Sequence, residues 1–128
     1  KNTTGVEQNA SGVAWAPDDR WVAAAHQDGV TRVWETDNFT LVTRLVGTYG
    51  WMRGVAWSPD GSKIATTGED YTVRVWEAAS GKLIAAGKYG QLTVWTVAWS
   101  PDGTRLAIGE GFYGSQTGKN SIYILARP

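Results

Sequence analysis

Short runs in which apolar and polar residues alternate return along the chain at a constant interval. The run at 12–18 reads GVAWAPD, and it returns as GVAWSPD at 54–60 and as TVAWSPD at 96–102, each time 42 residues later. A second run, VTRVW at 30–34, returns at the same interval as TVRVW at 72–76. Because two different motifs keep one spacing, they indicate a structural repeat rather than a coincidence.

Side-chain alternation and β-branched residues predict that each repeat folds into strands. In the second repeat, Pro59-Asp60-Gly61 is expected to form a tight turn, because these residue types favour turn geometry. The four predicted strands, named a to d, run from Gly54 to Ser58, from Lys63 to Thr67, from Thr72 to Trp76 and from Leu83 to Gly87. A four-stranded antiparallel sheet in each repeat is typical of a β-propeller blade, so the chain is predicted to be all-β.

The repeats resemble those of the WD40 family, whose units pass through a Ser-Pro-Asp-Gly turn and end on Trp-Asp. The turn is matched at 58–61 and at 100–103, and Trp34-Glu35 and Trp76-Glu77 stand where the family has Trp-Asp. The resemblance covers nearly the whole chain and implies three consecutive WD40 blades. The expected division is a stub of a preceding outer strand and loop at 1–11, blade 1 at 12–53, blade 2 at 54–95 and an incomplete blade 3 at 96–128.

The third repeat departs from the others after its second strand. Seven extra residues separate its predicted strands b and c, which makes 109–120 an insertion loop, and no strand d follows. Because propellers have about four to eight blades, three blades cannot close a ring. Further blades of a longer chain, copies of this chain or a different protein are expected to cover the open ends. The first residue is Lys rather than Met, so we expect a processed or partial chain.

Tryptophans at one register of the repeat are expected to form the core, because every unit of a repeat needs the same packing. They are Trp15, Trp34, Trp57, Trp76 and Trp99. The resemblance also gives a structural role to Asp28 and Asp70, which match the aspartate of the family's b–c turn. The family's histidine partner for this aspartate is missing at Tyr49-Gly50 and at Tyr89-Gly90.

Without that histidine, we expect backbone N–H groups of its own turn, or water, to satisfy Asp28, since an unsatisfied buried carboxylate is costly. Thr66 can supply the strand-b hydroxyl of the family's hydrogen-bond chain, whereas Ala24 at the matching position cannot. Arg32 and Arg74 share a register on strand c, and we expect them to lie on a solvated strand face.

In the WD40 family the d–a and b–c loops lie on one face, commonly the protein-binding face. By resemblance this face, called the loop face below, gathers Tyr49, Trp51, Met52, Arg53, Tyr71, Tyr89, Leu92, Trp95, Phe112 and Tyr113. Trp, Tyr and Arg dominate the energetics of protein interfaces, so the loop face is predicted to bind a partner. The alternative for Trp51 is a core position, and the alternative for Trp95 is packing between blades.

Composition narrows the classes of function. Lys and Arg number 12 and Asp and Glu number 12, so no positive field favours nucleic acid or an anionic membrane. Cysteine is absent, which excludes thiolate nucleophiles, disulfides and Cys-ligated zinc. The single histidine, His26, is expected to be a surface-turn residue without a catalytic role. We therefore predict no enzyme activity, no cofactor and no metal site. The composition does not determine the cellular location.

The sequence favours a non-catalytic protein-interaction or scaffolding module within a larger or multi-chain propeller. One alternative is self-assembly, in which two or three copies of a three-blade chain give six or nine blades. Another is a small-ligand or sugar-binding segment that uses Trp51, Phe112 and Tyr113. The fold alone does not choose among these functions, because one propeller architecture hosts many activities.

Overall fold

The structure of the protein is a computed structural model. It describes residues 8–47, 50–89, 92–111 and 121–126. Within these ranges the chain forms eleven strands and no helix. The strands are β1 (Ala10–Trp15), β2 (Trp21–His26), β3 (Thr31–Glu35), β4 (Leu41–Leu45), β5 (Met52–Trp57), β6 (Lys63–Gly68), β7 (Thr72–Glu77), β8 (Leu83–Lys88), β9 (Thr93–Trp99), β10 (Arg105–Gly111) and β11 (Ser121–Ala126).

Antiparallel pairing between successive strands produces three sheets. The first sheet contains β1 to β4 and the second contains β5 to β8, each in sequence order. The third sheet contains β9, β10 and β11, and the described residues hold no fourth strand for it. The prediction of an all-β chain built from four-stranded antiparallel blades is confirmed. In the second sheet, β6 begins at Lys63 as predicted and ends one residue later than predicted.

The β5–β6 turn shows why the repeated Ser-Pro-Asp-Gly sequence folds in the same way each time. Asp60 Oδ1 accepts hydrogen bonds from the Ser58 hydroxyl at 2.7 Å, the Ser62 N–H at 3.0 Å and the Ser62 hydroxyl at 2.7 Å. These bonds, with the Ser62 N–H first, lower the pKa of Asp60 to about 2. Gly61 has a φ of 75°, a left-handed conformation that favours glycine. The turn around Asp102 repeats the three hydrogen bonds.

The first strand of each later sheet packs against the sheet before it. Trp57 in β5 donates from Nε1 to the carbonyl oxygen of Ala14 at 3.0 Å. Trp99 in β9 donates in the same way to Ala56 at 3.1 Å. Two buried apolar clusters lie at these junctions, and their burial holds neighbouring sheets together. The first cluster contains Ala16, Ala23, Val33, Leu45, Trp57, Ile64, Trp76 and Ala78, and the second contains Ala65, Val73, Val75, Val94, Val97, Leu106 and Ile108.

Burial of the five repeat tryptophans depends on the sheets around them. Trp34, Trp57 and Trp76 are buried and Trp99 is half-buried. Trp15 is 61% exposed, so the expectation of a core position is wrong for this residue. The described part of the chain has no sheet before β1, so Trp15 lacks the surface on which Trp57 and Trp99 pack.

In the first and second sheets, an arginine of the third strand holds the turn aspartate. Asp28 accepts a backbone hydrogen bond from its own turn at 3.1 Å and two from the guanidinium of Arg32, at 2.7 and 3.2 Å. The Arg32 hydrogen bonds lower the pKa of Asp28. Asp70 likewise accepts a turn N–H at 3.2 Å and pairs with Arg74 at 2.8 Å. The predicted backbone donor to Asp28 is confirmed. A solvated strand face is wrong for both arginines, because each reaches back to its turn carboxylate.

Polar contacts around the buried tryptophans differ between the first two sheets. In the second sheet, Trp76 Nε1 donates to the Thr66 hydroxyl at 2.9 Å, as predicted. In the first sheet, Ala24 replaces that threonine, and the ring of His26 packs edge-on against Trp34 with centroids 5.7 Å apart. The expectation that His26 lies at the surface is wrong, because this packing at the end of β2 buries the residue.

The Asp70–Arg74 pair can be tested by replacing Arg74 with methionine, which keeps an apolar chain but removes the guanidinium. Because a largely buried carboxylate then loses its partner, we expect the free energy of unfolding to fall by about 2 to 3 kcal/mol. The double variant with Asp70→Asn should recover part of the loss, since no unpaired charge remains. Urea unfolding followed by tryptophan fluorescence measures this difference, and equal losses in the single and double variants would contradict the pairing.

His26 makes stability depend on pH. Burial, and after it the positive charge of Arg32, lowers the pKa of His26 below its ordinary 6.5. Below about pH 6.5 the unfolded chain therefore binds a proton that the folded chain resists, so acid destabilises the fold. We expect the free energy of unfolding to fall from about pH 7 to about pH 5.5, and to fall less in His26→Phe, which keeps a ring beside Trp34. The same pH dependence in both proteins would refute this role.

Candidate functional site

Each first strand carries one extra residue near its beginning. The pairing shift that marks it falls between residues 10 and 12 in β1, between 52 and 54 in β5 and between 94 and 96 in β9. The extra residues are Ser11, Arg53 and Trp95, which share one register of the repeat. A β-bulge leaves its extra residue out of the ladder and re-aims the side chain. The repeat therefore places three different side chains at equivalent points of neighbouring sheets.

Arg53 lies between two indole rings. Its Cζ is 4.7 Å from the ring centroid of Trp51 and 4.5 Å from that of Trp95. The guanidinium also forms an ion pair with Glu69 in the β6–β7 turn. Each cation–π contact contributes about 0.5 to 2 kcal/mol, depending on how much water it excludes. Trp51 is still 42% exposed, so the stack holds an accessible indole in a defined position.

Backbone hydrogen bonds bring two kinds of loop together at one end of the sheets. The Glu69 N–H donates to the carbonyl oxygen of Trp51 at 3.0 Å, which joins the β6–β7 turn to the segment before β5. The Tyr89 N–H donates to the carbonyl oxygen of Tyr71 at 3.0 Å, which joins the same turn to the segment after β8. Trp95 Nε1 donates to the last carbonyl oxygen of β10 at 3.1 Å. The d–a connections and the b–c turn of the second sheet thus share this end.

Tyr71 presents a second exposed aromatic ring at this end of the molecule. Its φ of 65° places it in the left-handed region within the β6–β7 turn. Lys88 Nζ lies 5.8 Å from the centroid of its ring, and pairing of β8 with Thr72 brings the lysine there. Sequence reasoning missed Lys88, because its approach to Tyr71 depends on the pairing register of β7 and β8.

The family model for the WD domain, G-beta repeat, matches residues 3–35, 39–77 and 81–115. The chain belongs to the WD40 repeat family. WD40 propeller domains generally act as scaffolds for protein–protein interactions and are generally non-catalytic. The three matched segments agree with the three sheets in number and order.

Among solved structures, the WD40 chain is similar to the crystal structure of the WD40 beta propeller domain of Doa1. The TM-score is 0.76 at 20% sequence identity, and the similarity covers 91% of this chain. At this level of identity the similarity shows the fold alone. The matched region is 36% of the Doa1 chain, so this chain spans about a third of the length of that structure. No curated protein matches the sequence.

Seven of the ten residues predicted for the loop face lie within the described ranges of the WD40 structure. Trp51 and Tyr71 are exposed, and the half-buried residues are Arg53, Tyr89, Leu92 and Trp95. Met52 is 1% exposed, so its assignment to a contact surface is wrong. It begins β5 rather than belonging to the loop, and it pairs with Gly68 inside the sheet. The remaining three, Tyr49, Phe112 and Tyr113, lie outside the described residues.

Some of the side chains that could take part in chemistry serve the fold instead. The carboxylates of Asp60 and Asp102 accept hydrogen bonds from their own turns, and His26 packs against Trp34. Over the described ranges, no three side chains among His, Asp and Glu are placed to share a metal ion. In the same ranges, no helix has the length and apolar character needed to cross a membrane.

Proposed function

We propose that this WD40 chain is a non-catalytic protein-interaction module and that the loop face is its contact surface. The observation that carries the proposal is the Trp51–Arg53–Trp95 stack, which the Glu69 carboxylate anchors. It leaves Trp51 exposed at the end of the sheets where the loops converge. An exposed indole in that position is an anchor for an apolar pocket or side chain of a partner protein.

The stack favours binding because it orders Trp51 before a partner arrives. Immobilising a free side chain on binding costs about 0.5 to 1.5 kcal/mol, and a side chain that is already packed avoids much of this cost. Tyr71 adds a second exposed ring, and Lys88 adds a positive charge beside it. Aromatic rings next to a cation favour a partner that offers apolar side chains together with a carboxylate.

Catalysis and sugar binding have less support in the structure. The only histidine is buried, and the two aspartates with strongly lowered pKa values serve their own turns, which favours a non-catalytic role. Of the three aromatic residues expected to bind a sugar, only Trp51 lies within the described residues. No observation in those residues favours a sugar over a protein.

Substituting Trp51 by alanine tests the proposed surface. Peptides selected from a displayed random library on the wild-type chain supply ligands of measurable affinity. Because truncating an interface hot spot costs about 2 kcal/mol or more, we expect Trp51→Ala to raise the Kd at least about 30-fold for most selected peptides. Isothermal titration calorimetry measures the change.

Phe39→Ala is the matched control for this experiment. The exposed fraction of Phe39 is 45%, similar to the 42% of Trp51. Phe39 lies in the β3–β4 turn, away from the loop face. We expect its substitution to leave the Kd unchanged and both variants to keep the wild-type circular dichroism spectrum. Equal weakening by the two substitutions, or none by Trp51→Ala, would overturn the assignment of the surface.

A further inference from the structure

The loop-face end of the second sheet carries side chains that the fold itself does not require. The first sheet makes the same backbone contact, because the Gln27 N–H donates to the carbonyl oxygen of Asn9 at 3.0 Å, as Glu69 does to Trp51. Gln27 and Asn9 precede Glu69 and Trp51 by the 42 residues of the repeat. The aromatic and charged side chains of the second sheet are therefore additions to a frame that also forms without them.

Tyr71 is one of these additions. Its φ of 65° lies in the left-handed region, and Gly29, with a φ of 82°, holds the same place in the first sheet. Left-handed backbone is strained for a residue with a bulky side chain and nearly free of strain for glycine. The second sheet thus keeps an exposed ring at a position that suits glycine better. Strain of this kind is commonly found at sites of function.

Among the described residues, the charged groups at this end of the second sheet form pairs, with one exception. Arg53 pairs with Glu69, and Arg74 pairs with Asp70. Lys88 is exposed and forms no ion pair with the residues that the structure describes. Within the described ranges, this end of the sheet therefore presents one unbalanced positive charge.

The ring of Tyr71 and the charge of Lys88 lie side by side. Pairing of Lys88 with Thr72, the residue after Tyr71, brings Nζ to 5.8 Å from the ring centroid. The Tyr89 N–H donates to the carbonyl oxygen of Tyr71 at 3.0 Å, which ties the turn to the end of β8. Val46 holds the place of Lys88 in the first sheet, so the first sheet lacks this charge as well as the ring.

We propose that Tyr71 and Lys88 determine which partners the loop face accepts, and that they select an acidic segment of a partner protein. An Asp or Glu side chain of the partner pairs with Lys88, and an apolar side chain beside it packs on the ring of Tyr71. This inference rests on the proposed function, because it assigns the partner's charge at the same surface. Trp51 supplies most of the affinity, and the Tyr71–Lys88 pair supplies the selectivity.

One lysine beside an aromatic ring fits a protein carboxylate better than a nucleic acid. Proteins that hold a phosphate backbone use several cations at once, whereas the described residues of this surface offer one that is unpaired. The Glu69 carboxylate, whose side chain is 35% exposed at the same end of the sheet, disfavours a chain of phosphates. A short acidic segment can place its carboxylate at Lys88 and keep clear of Glu69.

Peptide selection on charge variants tests the inference. A random library is fused to its carrier through the C-terminus of each peptide, so that Asp and Glu side chains are the carboxylates on offer. The wild-type chain should enrich peptides with an acidic residue. Lys88→Glu should enrich peptides with a basic residue instead, because the local charge is reversed. Sequencing of the selected pools measures the change.

Lys82→Glu is the matched control. Lys82 is exposed and lies immediately before β8, at the opposite end of the strand from Lys88, so the two variants have the same net charge. Lys82→Glu should enrich the same acidic peptides as the wild type. Loss of the acidic preference in both variants would show an effect of net charge alone and would overturn the inference.

Dissociation constants give the size of the effect. For acidic peptides selected on the wild type, Lys88→Gln should raise the Kd about 3-fold and Lys88→Glu about 10-fold, because an exposed ion pair contributes little and its reversal adds repulsion. Both effects should shrink at about 0.5 M salt, which screens exposed charges. Isothermal titration calorimetry at low and high salt measures them, and changes independent of salt would contradict an ion pair.

Tyr71→Gly separates a binding role from a structural one. Glycine suits the left-handed backbone, so the Tm of this variant should be no lower than that of the wild type. The same change should raise the Kd of the selected peptides at least about 5-fold, because it removes the ring on which the partner packs. A variant that binds these peptides as tightly as the wild type would overturn the role of Tyr71.

Two further results would overturn the inference. The first is a set of peptides that lose affinity in Trp51→Ala, show no acidic preference and tolerate Lys88→Glu, and this result would leave the proposed function intact. The second is an oligothymidylate that binds more tightly than the selected peptides and is released by Lys88→Glu, which would make the surface a nucleic-acid site. Peptides unaffected by Trp51→Ala would instead overturn the proposed function itself.

Discussion

A blade of this WD40 chain buries its flat faces only when another sheet lies against them. The contact is made by the first strand of each later sheet, whose tryptophan crosses to a carbonyl oxygen of the preceding sheet, as Trp57 does to Ala14. The same contact closes the apolar clusters on either side of the second sheet. The buried apolar core therefore depends on the stacking of sheets, and no single sheet forms it alone.

The chain holds its turn aspartates with a different side chain from the one expected for its family. The histidine expected to hold the turn aspartate is missing, and Arg32 and Arg74 take its place from the third strands of the first and second sheets. A guanidinium suits this role because its planar fork can bond both carboxylate oxygens, as Arg32 does with Asp28. In both turns the contact to the aspartate carboxylate thus comes from within the same sheet.

The candidate site arises where the repeat keeps its backbone but changes its side chains. The same bulge carries serine in β1, arginine in β5 and tryptophan in β9, and the arginine stacks on the tryptophan of the next sheet. Exposure of Trp51 and Tyr71 agrees with their predicted place in loops, because loop positions follow from the register of the repeat. The stack itself was not predictable, since it requires the bulge and the neighbouring sheet together.

The amino-acid sequence by itself determined the repeat, the strands and the turns, because alternation and the hydrogen bonds of the Ser-Pro-Asp-Gly turn act over a few residues. The burial of Met52 and His26 was decided by the strands opposite them. Trp15 and Trp57 occupy nearly identical local sequences, yet one is 61% exposed and the other 8%. Only the tertiary structure separates them, because burial is set by the sheet that lies against a residue and not by its neighbours along the chain.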